Sequence, residues 1–218
     1  MMNFRVFTVI LITIISVSLF SCSSKKEPYF EGIIEYHNTF IPKNNSIDSI
    51  ALRVIFGQNA TLYFKEGNFF EKYNDGIMLE QFYLKQTNKT YIKKNNSDTL
   101  YWFDCQQKGE PILKYQINKN KEEILGIMCD ELVTYYKEKT ISIYYNADSL
   151  PINPEWYNKF TYSNKNFITK QMKSMYLKYK IEYPDFIAMV TATSISKQKV
   201  DPRTFEISKK KILIKDKN

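Results

Sequence analysis

From residue 29 onward the chain consists of short apolar stretches separated by polar turns, and the turns come too often for helices. Phe30, Ile34 and Tyr36 share one parity around Gly32, which predicts a first strand over residues 29–38. Residues 47–56 are mostly apolar and β-branched and predict a second strand. Hairpin signals then follow in series. Leu62 and Phe64 lead into the turn Glu66-Gly67-Asn68, and the chain returns through Phe69, Phe70 and Tyr73. Asn74-Asp75-Gly76 turns into an alternating stretch from Met78 to Leu84. Gln86-Thr87-Asn88 precedes a strand over 90–94, and Asn95 to Asp98 precedes one over 99–105. Residues 130–137 and 139–145 read as a further hairpin. Asn153-Pro154-Glu155 is the one good helix start, with Asn as cap and Pro in the first turn. Trp156 and Phe160 would share a face of that helix, and 167–175 would extend it. Two long strands, 176–183 and 186–196, close the domain around Pro184-Asp185. In the first of them Leu177, Tyr179, Ile181 and Tyr183 face one way, and Tyr176, Lys178, Lys180 and Glu182 the other. The fold class expected is mainly β, a curved antiparallel sheet or open half-barrel with one or two short helices.

The first 21 residues follow a different pattern. Arg5 is the only charge before Lys25, and every residue from Val6 to Phe20 is apolar, Ser or Thr. This is the layout of a secretory signal, and its apolar run is shorter than the ~20 residues a membrane-spanning helix needs. It ends in Leu19-Phe20-Ser21-Cys22, which resembles the lipobox of bacterial lipoproteins, with Phe20 bulkier than the residue usual there. The resemblance implies cleavage before Cys22, lipid on its sulfur and anchoring to a membrane through that lipid. The expected organisation is a signal over 1–21, a lipidated tether over 22–28, one β-rich domain over 29–208 and a basic tail over 209–218.

Composition supports strands: 17 Tyr and 15 Phe stand against 6 Gly and 7 Pro. The net charge is +8, or +7 once Arg5 leaves with the signal. An exported lipoprotein rarely meets nucleic acid, so none is expected as partner. Anionic head groups or acidic glycans are the alternatives to a merely solvated lysine-rich surface. Beyond Cys22, Cys105 and Cys129 remain, and outside the cytoplasm they either pair as a disulfide or stay as buried thiols.

A segment in the middle of the chain, Glu122-Glu123-Ile124-Leu125-Gly126-Ile127-Met128-Cys129, resembles a stretch of exported bacterial proteins of unknown function, including the GLPGLI family. The opening Phe30 to Tyr36, the stretch Leu150-Pro151-Ile152-Asn153-Pro154 with Trp156, and the closing Val200 to Phe205 are similar to other parts of the same set. Those families are distantly similar to the LolA and LolB lipoprotein carriers. The resemblance therefore implies an open antiparallel half-barrel with helices over an apolar concavity that holds acyl chains. It assigns no activity and carries over no site residue.

Chemistry is sparse. His37 is the only histidine and reads as a solvent-facing strand residue, so a triad or Cys-His pair has no second candidate base. No metal site, Gly-rich phosphate loop or cofactor is expected. Glu31 and Glu35 share a strand face, which leaves a carboxylate-dependent hydrolase as the remaining enzyme reading. Ser49, Thr99 and Ser149 each follow Asp and precede an apolar residue. That pattern resembles a bacterial O-glycosylation site, and equally is a coincidence of common residue types. The leading expectation is a non-enzymatic envelope lipoprotein, outer-membrane-anchored, binding lipid or the acyl chains of another lipoprotein. The alternative is an interaction protein with a filled core, gripping a partner protein or glycan.

Overall fold

The computed structural model describes residues 28–44, 47–95, 97–207 and 212–215. The expected signal, the lipobox-like stretch and Cys22 lie outside them.

The hairpin series builds one wide sheet. Twelve strands lie in the order β12-β6-β5-β4-β3-β2-β1-β11-β10-β9-β8-β7, and the end strands do not pair with each other, so the sheet stays open. The strands are β1 (Gly32–Pro42), β2 (Asn59–Lys65), β3 (Asn68–Tyr73), β4 (Met78–Leu84), β5 (Lys89–Lys94), β6 (Thr99–Asp104), β7 (Lys114–Ile124), β8 (Ile127–Tyr135), β9 (Thr140–Tyr145), β10 (Tyr176–Glu182), β11 (Phe186–Lys197) and β12 (Ile212–Lys215). Antiparallel pairing holds throughout except at β12, which runs parallel to β6. Two turns fix register with two residues each. Glu66-Gly67 links β2 to β3 and Leu125-Gly126 links β7 to β8. All four residues have positive φ, the geometry that matches the twist of the flanking strands.

Three sequence expectations are corrected. Residues 47–56 were expected as a strand, but Ser49–Phe56 is a helix, α1. Asp48 caps it by accepting from the Ile50 N–H, and Gly57 at φ 74° ends it. Second, the helix expected from Asn153 is a 3₁₀ turn, Pro154–Tyr157, with Asn153 capping as predicted. A separate helix, α2 (Lys165–Met172), follows after left-handed Ser163 and Asn164. Third, Ile212–Lys215, expected within the basic tail, forms the edge strand β12. A shift in the pairing of β10 with β9, between Tyr176 and Lys178, is a further departure from strict alternation.

One face of the sheet carries the core. Across β2 to β6 directly paired residues share a face, giving the inward rows Phe64, Phe69, Tyr83, Thr90, Phe103 and Leu62, Glu71, Gln81, Ile92. The segment between β9 and β10 lies over this face. Tyr157 and Phe160 pack on Tyr83 with ring centroids 5.6 and 4.7 Å away. Ile168 and Met172 of α2 close a second cluster with Leu132, Ile141, Ile143 and Tyr145. No helix among the described residues is long and apolar enough to cross a membrane.

Candidate functional site

The covering segment does not fill the concave face. Two recesses remain, of about 280 and 260 Å³, just below the usual range for small-molecule sites. Leu62, Phe69, Ile92, Phe103, Phe160 and Met175 give the first its apolar walls, and Tyr162, Ser163 and Lys165 lie on the covering side. The second has Phe40, Phe56, Tyr179, Ile181, Phe186 and Val190. Glu71 and Tyr176 line both, so the recesses adjoin at these two side chains.

Polar groups converge at that junction. Burial raises the pKa of the Glu71 carboxyl, against the lowering effects of a hydrogen bond with Tyr73 and of the charge on Lys165. Burial lowers Lys165 to about 8, while Glu71 pulls it back up. The Lys165 ammonium lies 5.4 Å from the centroid of the Tyr157 ring. Tyr36 donates to the Tyr176 carbonyl at 2.9 Å, and their rings stack at 5.0 Å. Burial pushes the Tyr36, Tyr73 and Tyr176 phenols well above their ordinary range, so they stay neutral donors. In the second recess Asn38 donates to the Gly57 carbonyl at 3.2 Å, and its buried Oδ1 has no partner among the described residues.

The second recess is bordered by exposed apolar side chains. Phe56 lines it, stacks on Phe40 at 5.7 Å, and is still 45% exposed. On the same helix Ile50 is 65% and Val54 59% exposed, and the Ile77 N–H bonds the Ile55 carbonyl. An apolar surface at a cavity margin is a common mark of an interaction site.

The residues singled out from sequence lie elsewhere. His37 is exposed and bonds Asn59 at 2.9 Å, as its parity predicts. Glu31 is a structural carboxylate, accepting from Lys65 at 2.9 Å and from the Val200 N–H at 2.7 Å, while Glu35 accepts from Ser194. They do not join Glu71, the one carboxylate among the described residues that lines either recess. Among the described residues no three His, Cys, Asp or Glu side chains gather as a metal site. Cys105 and Cys129 are not bridged. Both are buried free thiols in the same core, pushed by burial up to about 11. Cys105 meets the Thr90 hydroxyl at 3.1 Å, and Cys129 donates to the Ile127 carbonyl at 3.3 Å. Ser49, Thr99 and Ser149 are half-buried at the starts of α1 and β6 and in the turn after β9, each beside an exposed Asp.

No family model and no curated protein matches the chain. Among solved structures, PNGF-II in its P21 crystal form is similar over 86% of this chain at 14% identity, with a TM-score of 0.48. The chain spans only 32% of PNGF-II. The Mycobacterium tuberculosis lipoprotein LppX is similar over 78% of this chain and 89% of its own, at 10% identity and a TM-score of 0.34. Overlaps this loose carry no functional argument, and the recesses have to be read on their own chemistry. Neither Glu71 nor Lys165 was singled out from sequence. The signal for Glu71 was its parity with Phe69 and Tyr73, which puts a carboxylate in an inward row; Lys165 had none.

Proposed function

We propose that this domain is a non-enzymatic envelope lipoprotein that holds the hydrocarbon part of a lipid, free or attached to another lipoprotein, on its concave face. The observation that carries this is the pair of adjoining apolar recesses on the concave face, the first under the β9–β10 segment and the second beside Phe56 of α1. Aromatic and aliphatic walls suit a chain with no hydrogen-bonding needs, and the few polar groups cluster where the recesses adjoin. The resemblance to GLPGLI-like proteins and LolA/LolB carriers points the same way. Val190→Trp should fill the second recess and weaken fluorescent fatty-acid binding several-fold with the circular dichroism spectrum unchanged; unchanged binding would count against the recess as the site.

The anchor belongs to the same reading. Cys22→Ala should release the protein from membranes or leave it unprocessed. A variant that fractionates like the wild type would remove the anchoring claim. Purified protein should show no turnover of glycoside or ester substrates; robust turnover would reinstate the hydrolase.

An interaction protein is the second reading. A separate groove of about 960 Å³, lined by Leu113, Tyr115 and Phe167 among others, favours it. Leu113 and Tyr115 are exposed there. Loss of a co-purifying partner on Leu113→Asp would move the weight to this groove.

A further inference from the structure

We infer that the ligand is an amphiphile with an anionic head, bound through that head at Lys165, with its chain running inward past Glu71 and Tyr176 toward the second recess. This rests on the lipid-binding reading above and names its ligand class.

Among the described residues, Lys165 is the one cationic side chain lining either recess. Its ammonium faces the Tyr157 ring, and none of the ion pairs among the described residues includes it. A half-buried cation in an apolar recess, drawn to Glu71 but in no ion pair with it, is costly, and an anion from outside the chain would relieve that cost. Glu71 is served differently. Tyr73 hydrogen-bonds its carboxyl, and burial favours the protonated acid, which weakens its repulsion of an incoming anion. The imbalance between the two charged groups points to an anion rather than a cation.

Position agrees with chemistry. Lys165 opens α2 two residues after Ser163, and Tyr162 and Ser163 of the same wall are exposed. The head would thus stay near water. The second recess, apart from Asn38 and Glu71, is walled by aliphatic and aromatic side chains and suits the chain. A neutral lipid would leave the ammonium without its partner.

The test uses the full-length protein in phosphatidylcholine liposomes, photolabelled with diazirine-bearing palmitic acid or the matching alcohol. Adducts are mapped by peptide mass spectrometry, and palmitate, hexadecyl phosphate and hexadecanol serve as competitors. We expect adducts on recess-lining peptides, with either anion competing at about 10-fold lower concentration than hexadecanol, the scale of one charge-assisted contact. Lys165→Met should bring the three competitors within about threefold of one another, and Lys165→Arg should keep the preference. The better of the two anions tells carboxylate from phosphate. Equal competition in the wild type, or a preference that survives Lys165→Met, would overturn the assignment of the head while lipid binding stands. No recess adduct with either probe would overturn both.

Discussion

Glu71 and Lys165 are held by the fold in states that cost stability, and the cost has a pH dependence of known sign. Burial raises the Glu71 pKa, so the folded protein keeps that proton longer than the unfolded chain. Stability from this group is then present at low pH and lost as pH rises through the folded pKa. Glu71→Gln should therefore raise the melting temperature at pH 7 and not at pH 4. Equal melting at pH 7 would mean that the carboxyl is not desolvated. The cysteines give a second test. With Cys22 absent, Cys105 and Cys129 should resist a thiol reagent in the native state and both react after unfolding without reductant, since burial holds both thiols up to about 11. No reaction after unfolding would mean a disulfide. Sequence reading put His37 outward correctly because strand parity decides it. It passed over Lys165 because a lysine in a polar stretch looks the same whether it faces water or a cavity.

Elements were legible where a turn or an alternation marks them. Glu66-Gly67 and the Asn- and Asp-rich turns located the hairpins from β2 to β6. Besides β12, two elements were not legible. Ile50, Leu52, Val54 and Ile55 read as strand by β-branching, yet Asp48 and Gly57 cap a helix whose apolar side chains are mostly exposed. β7 is an edge strand, mostly exposed, and therefore lacks the apolar alternation that betrays a strand. Asp48→Ala should cost about 1 kcal/mol through loss of the cap. Gly67 and Gly126 offer a sharper comparison, because both have positive φ but only Gly67 is crowded. A Cβ at Gly67 would sit 2.7 Å from the Trp156 Cβ, whereas Gly126 has nothing within 4 Å. Gly126→Ala should cost ~1–2 kcal/mol for backbone strain alone. Gly67→Ala should cost at least ~1 kcal/mol more from overpacking. Equal losses in urea denaturation would show that the 3₁₀ turn does not rest on the β2–β3 hairpin.

At the scale of the whole molecule, an open sheet covered only in part, by the β9–β10 segment and by the end of α1, explains why cavities exist at all. The sheet is far wider than Pro154–Tyr157 and α2 can cover, so part of its apolar face meets space rather than side chains. The mainly β class and the antiparallel meander followed from even turn spacing. The placement of the first recess did not, because it depends on how the β9–β10 segment folds back onto β2–β5, a contact between residues 74 and 77 apart in the chain, Tyr83 with Tyr157 and Phe160. The central claim is that these recesses hold lipid. Native mass spectrometry of residues 23–218, purified gently from the periplasm of an expressing cell, tests it most directly. The account predicts a reproducible extra mass that dissociates as an acyl-chain lipid and is lost in Val190→Trp. A clean unliganded mass, with no uptake of a fluorescent fatty acid, would contradict it.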